Sequence, residues 1–445
     1  MHLNFLHRAG MRLGGLTLLN MGVICLILFL FPAVALCRIY IDVNAPSIPK
    51  FNIAFPDFTQ GVSAKDRSEL SAELPGIISS DLEFSGYFNP MDKAAFLEDK
   101  GAGFNATIQF KDWSVIGAEL LLKGQYTCIG NQLEVEVKLF DVFWGRQILG
   151  KRALGDVERR RHLMHRLSNE IILQLTGHQG IFLTKLAFVD SSTGKREIYT
   201  SDYDGHNVRQ VTNDKSIALL PRWSPDGKHL AYGSYKQGGP MLYLKDMSSG
   251  TVRRLSGESG LNIGASWAPS GREIALTMSH KGNPDIFTIN LQGKILQQLV
   301  QNYGIDVSPA FSPQGDKLAF VSNRSGSPQI YILNLTTRTE ERLTYEGRYN
   351  TSPAWSSRDR IAFVSMSNGK FDICTIEAAG GGPRKLTSGT GNNEEPCWSP
   401  DGRYIMFTSD REGAYHLYIM NANGQNQRRV TSMKGDQTAP SWAPE

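Results

Sequence analysis

A tryptophan-led turn recurs every 43 or 44 residues along the second part of this chain. It reads Trp223-Ser-Pro-Asp-Gly, Trp267-Ala-Pro-Ser-Gly and Phe311-Ser-Pro-Gln-Gly, then Trp355-Ser-Ser-Arg-Asp, Trp398-Ser-Pro-Asp-Gly and Trp442-Ala-Pro-Glu. A fixed period in the 40s, filled with short strands, is the pattern of a β-propeller with one blade per repeat. Ser-Pro-Asp-Gly suits a type I turn, because proline presets φ at the second position and glycine is favoured at the fourth. An apolar run follows each turn, as in Leu230-Ala-Tyr and Leu318-Ala-Phe. A further strand comes after it, such as Met241-Leu-Tyr-Leu or Ile330-Tyr-Ile-Leu, and then Arg253-Arg-Leu-Ser or Arg428-Arg-Val-Thr.

Counting sets the blade number. The Leu-Ala-Phe strand occurs six times, starting at Leu186. The tryptophan strand also occurs six times, but shifted: the first unit has none before it and Trp442 has no unit after it. Circular closure resolves the offset. The strand around Pro440-Ser-Trp442 supplies the missing inner strand of the first blade, which removes the open edges. The expected fold is therefore a small α/β domain at 38–177 followed by a six-bladed propeller at 182–445 closed by its C-terminal strand.

The turns after each tryptophan strand, and those between strands three and four, share one face and are short. The loops between strands two and three, and between blades, share the other face and vary. A rigid scaffold carries recognition on such loops.

Arg8 and Arg12 precede an uncharged stretch from Leu13 to Leu36 that ends Ala33-Val-Ala35. A basic start, an apolar core and small-x-small describe a secretory signal peptide over 1–35, or to 37. A retained membrane anchor is the rival reading. Removing 1–35 takes away two positive charges and no negative one, so the net charge falls from +4 to +2. That balance favours neither nucleic acid nor an anionic membrane. Cys37, Cys128, Cys374 and Cys397 are too sparse for a metal knuckle or a disulfide framework.

In the region between signal and propeller, Phe51–Phe55 reads as a strand and Ser68–Phe84 as a helix with Pro75 as a kink or boundary. Three alternating segments around 118–123, 132–140 and 147–151 read as strands. Asp156 is expected to cap a helix running to Leu175, with Leu163, Leu167, Ile171 and Leu175 on one stripe. Glu158-Arg-Arg-Arg161 reads as its solvated face, and His162 with His165 as a surface pair. Asp202-Tyr-Asp204-Gly reads as an ordinary turn. No nucleophile elbow is present, so no enzyme activity and no catalytic residue are expected. No metal site or cofactor is expected beyond the option of a cation in the propeller channel. The alternative class is a propeller-containing periplasmic hydrolase.

The ordered set — Leu175-Thr-Gly, Phe182-x-Thr-Lys-Leu-Ala-Phe, Ser201-Asp-Tyr-Asp-Gly and the blade turns — resembles the TolB family of the Tol–Pal system. The resemblance implies a monomeric Gram-negative periplasmic scaffold that supports outer-membrane integrity and constriction at cell division. Its loop face would dock the peptidoglycan-associated lipoprotein Pal. The positions implied are Asn262, Ile263, Asp306, Tyr349, Asn350, Asn392, Asn393, Glu394, Asp436 and Gln437. Its N-terminal strand, Arg38-Ile39-Tyr40-Ile41-Asp42-Val43, would contact the inner-membrane protein TolA by strand addition. Glu394, Asp306 and Asp436 are expected to converge at the channel mouth as a negative rim, able to meet a basic partner or hold a cation.

Overall fold

The computed structural model describes residues 41, 49–61, 67–97, 103–279 and 282–444. The signal-peptide reading, and Arg38, Ile39, Tyr40, Asp42 and Val43, fall outside them. Ile41 is described and its side chain is buried.

The first layer is a mixed sheet with a helical face. Its strands are β1 (Phe51–Ala54), β2 (Thr59–Gln60), β3 (Phe88–Pro90), β4 (Leu120–Ile129), β5 (Gln132–Asp141) and β6 (Arg146–Asp156). They are ordered β3-β1-β4-β5-β6, with β2 beside β4. Period-two alternation puts Leu133, Val135, Val137 and Leu139 of β5 fully inside. Helix α1 (Glu69–Ser85), short α2 (Phe110–Val115) and α3 (Arg160–Thr176) complete the domain, and α1 packs on α3. Gly86 and Gly177 end α1 and α3 in the left-handed conformation, at φ 80° and 72°.

Pro75 lies inside α1 without ending it. Proline has no N–H for the carbonyl four residues earlier. That carbonyl, on Ser71, instead accepts from Phe58 N at 2.8 Å, and Ser71 Oγ donates back to Phe58 O at 2.6 Å. The helix break becomes a clip for the neighbouring chain. Asp156 differs from expectation. It ends β6, makes no capping bond, and is followed by a 3-10 turn at Val157–Arg159.

The propeller consists of six four-stranded antiparallel sheets. In the first, the C-terminal strand Gln437–Trp442 pairs with β7 (Lys185–Asp190), then β8 (Glu197–Asp202) and β9 (Arg209–Gln210). Closure is thus circular. Trp442 sits in register with Leu186 and donates from Nε1 to Thr184 Oγ1 at 2.7 Å. The remaining inner strands are Ala218–Trp223, Asn262–Trp267, Asp306–Phe311, Asn350–Trp355 and Asn393–Trp398. Each carries a bulge at the same place. The third residue has positive φ in every blade: Leu220 at 51°, Gly264 at 68°, Ser308 at 56°, Ser352 at 52°, Glu395 at 55° and Ala439 at 52°. Only one of the six is glycine, although that conformation is costly for the others. The strain repeats with the ring, and five of these residues, all but Ala439, line the central cavity.

Threonine or serine after strand four locks five of the blades. Thr212, Ser256, Thr344, Thr387 and Thr431 each accept from a backbone N–H of strand three, on Ile198, Leu242, Ile330, Ile373 and Leu417. This explains the Arg-x-Leu/Val-Thr/Ser ending visible in the repeats.

Candidate partner-binding site

The two ends of the inner strands define the two faces. At the turn face, Ser224 and Ser399 hydroxyls close their turns onto Asp226 and Asp401. The same face carries the small domain. Tyr203, in the turn after β8, donates its hydroxyl to Asp81 of α1. His165 Nδ1 of α3 lies 2.9 Å from the same carboxylate. Arg161 pairs with Asp204, also in that turn. From the neighbouring blade, Tyr404 donates to Ser85 O at 2.9 Å. The Arg428 guanidinium sits 3.7 Å from the Phe84 ring centre.

These contacts correct three expectations. His165 is 2% exposed, not half of a surface pair. Arg160 and Arg161 are not a free solvated face, since Arg160 meets Glu73 at 2.7 Å and Arg161 meets the propeller. The Asp202–Gly205 turn is the joint between domains. Burial, and then Asp81, push the Tyr203 hydroxyl well above its ordinary pKa. Burial works to raise Asp204, but the Arg161, His165 and His206 charges overcome it and hold the carboxyl below its usual range.

At the loop face the predicted residues divide. Asn262, Asp306, Asn350, Asn393 and Gln437 occupy one repeat position, the first residue of the inner strand, and all are fully buried. Asn262 donates to Glu258 O and Gly260 O. Asn350 donates to Glu346 O and Gln329 Oε1. Asn393 accepts from Arg411 and Ser409, and Gln437 donates to Asp190 and Gly435 O. Asp306 meets Arg324 at 3.1 Å and Asn302. The four amides here donate to carbonyls of the incoming loop and Asp306 accepts from Asn302 and Arg324, so these five hold the loops and do not present a side chain to a partner.

Ile263, Tyr349, Asn392, Glu394 and Asp436 retain exposure. Asn392 is spent on Asp410, donating from its backbone N and its Nδ2 to the two carboxylate oxygens. Glu394 accepts from Tyr415 Oη at 3.2 Å, and Asp436 accepts from Tyr415 N at 3.0 Å. These two acids, with Arg196, Ser191 and Thr438, line a recess of about 250 Å³ where the sixth blade meets the first. Burial, and then Glu395 and Asp410, raise the Glu394 pKa against the opposing Tyr415 bond.

The expected convergence of Glu394, Asp306 and Asp436 on the channel does not occur. None of them lines the central cavity of about 410 Å³. Its carboxylate is Glu395, which bridges Thr408 and the backbone of Ala439 across the closing blades. Arg222 lines the same cavity and donates to Pro221 O and Pro440 O. Among the described residues, no group of three or more His, Cys, Asp or Glu could hold a metal ion.

Sequence reasoning missed the exposed aromatics of this face. Tyr303 and Tyr345 are 81% and 73% exposed in inter-blade loops, beside Ile305 and the 37%-exposed Tyr349. Aromatic residues where no strand alternation requires them were the available signal.

The architecture is that of a two-domain propeller protein whose α/β domain sits on the turn face at the first and sixth blades. Family comparison makes this specific. The model described as TolB beta propeller domain matches residues 173–445, and the TolB amino-terminal domain matches 39–148. The chain belongs to the TolB family. It is 39% identical over 200 residues to the Tol-Pal system protein TolB of Desulfosudis oleivorans, covering 44% of this chain and 46% of that one. It is 37% identical over 227 residues to that of Syntrophus aciditrophicus, covering 47% and 50%. The matched region thus spans about half the length of these curated relatives. Crystalline TolB from Acinetobacter baumannii superposes with a TM-score of 0.79 at 27% identity, over 92% of this chain and all of that one.

Proposed function

We propose that this chain is a non-enzymatic periplasmic component of a Tol–Pal system. It docks a Pal-like peptidoglycan-associated lipoprotein on its loop face and a TolA-like inner-membrane protein through Arg38–Val43. It acts as a monomer and serves outer-membrane integrity and constriction at division. One observation carries the reading: the small domain engages the turn face, at the first and sixth blades, whereas the acidic recess and Tyr303, Tyr345 and Tyr349 on the loop face stay accessible. Exposed aromatic anchors are the usual makings of a hot spot. The test is calorimetric titration with the soluble domain of the organism's own Pal-like lipoprotein. Tyr303→Ala with Tyr345→Ala should weaken binding at least tenfold. Unchanged affinity, with loss instead in Asp226→Ala or Asp401→Ala on the turn face, overturns the face assignment. A variant lacking residues 38–43 that still captures the TolA-like protein overturns the strand assignment.

A further inference from the structure

A second cavity lies at the joint between the domains, on the side opposite the proposed docking face. It encloses about 490 Å³ between the start of α3 and strands β7 and β9. Arg159, Lys185 and Arg209 line it, and none of their side chains makes a hydrogen bond or ion pair among the described residues. Arg160 and Arg161 line it too, but are already paired. Glu158 and Asp202 are its acids, and Asp202 is engaged by Asn207. The positive excess is therefore set by the three free cations.

A second observation points the same way. His165, 2% exposed, lines this cavity, and its Nε2 has no hydrogen-bond partner among the described residues. That nitrogen lies 3.7 Å from Asp204 Oδ2, beyond hydrogen-bond reach. Arg161 Nε, buried, is likewise without an acceptor. Polar atoms of this kind are ordinarily satisfied, and both belong to residues that line the one basic cavity. The start of α3 adds the positive end of a helix.

We propose that this cleft is a binding site for a doubly charged phosphoryl group. Guanidinium forks and an ammonium are the groups that bind phosphoryl oxygens. Arg159 belongs to the small domain, whereas Lys185 and Arg209 belong to the first blade. A bound phosphoryl group therefore ties the two domains together across their joint.

The experiment titrates the full exported chain with inorganic phosphate and with glycerol phosphate, at constant ionic strength set with chloride, by calorimetry and melting temperature. The wild type should bind saturably and melt at a higher temperature. Arg159→Gln with Arg209→Gln should weaken binding at least tenfold while keeping the parental circular dichroism. Tighter binding of glycerol phosphate assigns a phosphomonoester as the source; tighter binding of inorganic phosphate assigns the free ion. Both outcomes carry the site. No saturable binding above the chloride control, or equal binding by the double variant, overturns it. The lipoprotein titration above is independent of this result.

Discussion

The two faces of the propeller are built from opposite ends of the same six strands, yet they use polar residues in different ways. At the turn face the polar groups pair across the domain joint: Asp81, His165, Tyr203, Arg161 and Asp204 meet there, and Trp442 closes the ring onto Thr184. At the loop face the polar residues form two tiers. A buried tier of Asn262, Asp306, Asn350, Asn393 and Gln437 fixes the loops, and an outer tier of Tyr303, Tyr345 and Glu394 meets solvent. One face is occupied by stability; the other separates stability from contact.

The largest test of this contrast is at the ring closure. Trp442→Ala should lower stability by about 3–5 kcal/mol, because it removes a buried ring and its bond to Thr184. Denaturant unfolding measures it, and a melt equal to the parent's would break the circular account. Next is the joint. Asp81→Ala strips His165 and Tyr203 of their shared acceptor inside the protein and should cost about 3–4 kcal/mol. Asp306→Ala then probes the buried tier. It leaves Arg324 short of one carboxylate and should cost about 2–3 kcal/mol in stability while partner affinity stays put. The reverse pattern would move Asp306 into the contact tier.

The smallest test uses pH. Asp204 is held below its ordinary pKa in the fold, so its contribution is present above the unfolded value and disappears as pH falls through the folded one. Asp204→Asn should therefore melt below the parent at neutral pH, with the gap closing in acid. Glu394 is raised, so its ionisation opposes folding once pH climbs past the unfolded value. Glu394→Gln should melt level with the parent or slightly above it at neutral pH, by less than about 1 kcal/mol given its half exposure, and lose that margin in acid. Matching signs for the two variants would erase the distinction between the faces.

The ring was readable because it repeats. Six offset tryptophan strands fixed both the blade count and the closure at Gln437–Trp442. The docking residues were harder to read. Asn262, Asp306, Asn350, Asn393 and Gln437 looked like loop residues because each is polar and precedes an apolar strand. Aligned blade against blade, they share one position, and a residue type that recurs in most blades answers a need of the blade. Tyr303 and Tyr345 have no counterpart of that kind. The domain joint was not legible at all. Asp81 lies 84 residues from His165 and 122 from Tyr203, and no local pattern links them.

The joint also has a mechanical meaning. Tyr203 and Asp204 belong to the first blade, and Tyr404 and Arg428 to the sixth. The chain leaving the sixth blade becomes the inner strand of the first, where Gln437 meets a partner 247 positions away. A pull on the small domain is therefore delivered to both sides of the one joint in the ring that local sequence does not hold. Load that separates the domains also loosens the clasp of the propeller, whereas load on any other blade is borne by strands already joined through short turns.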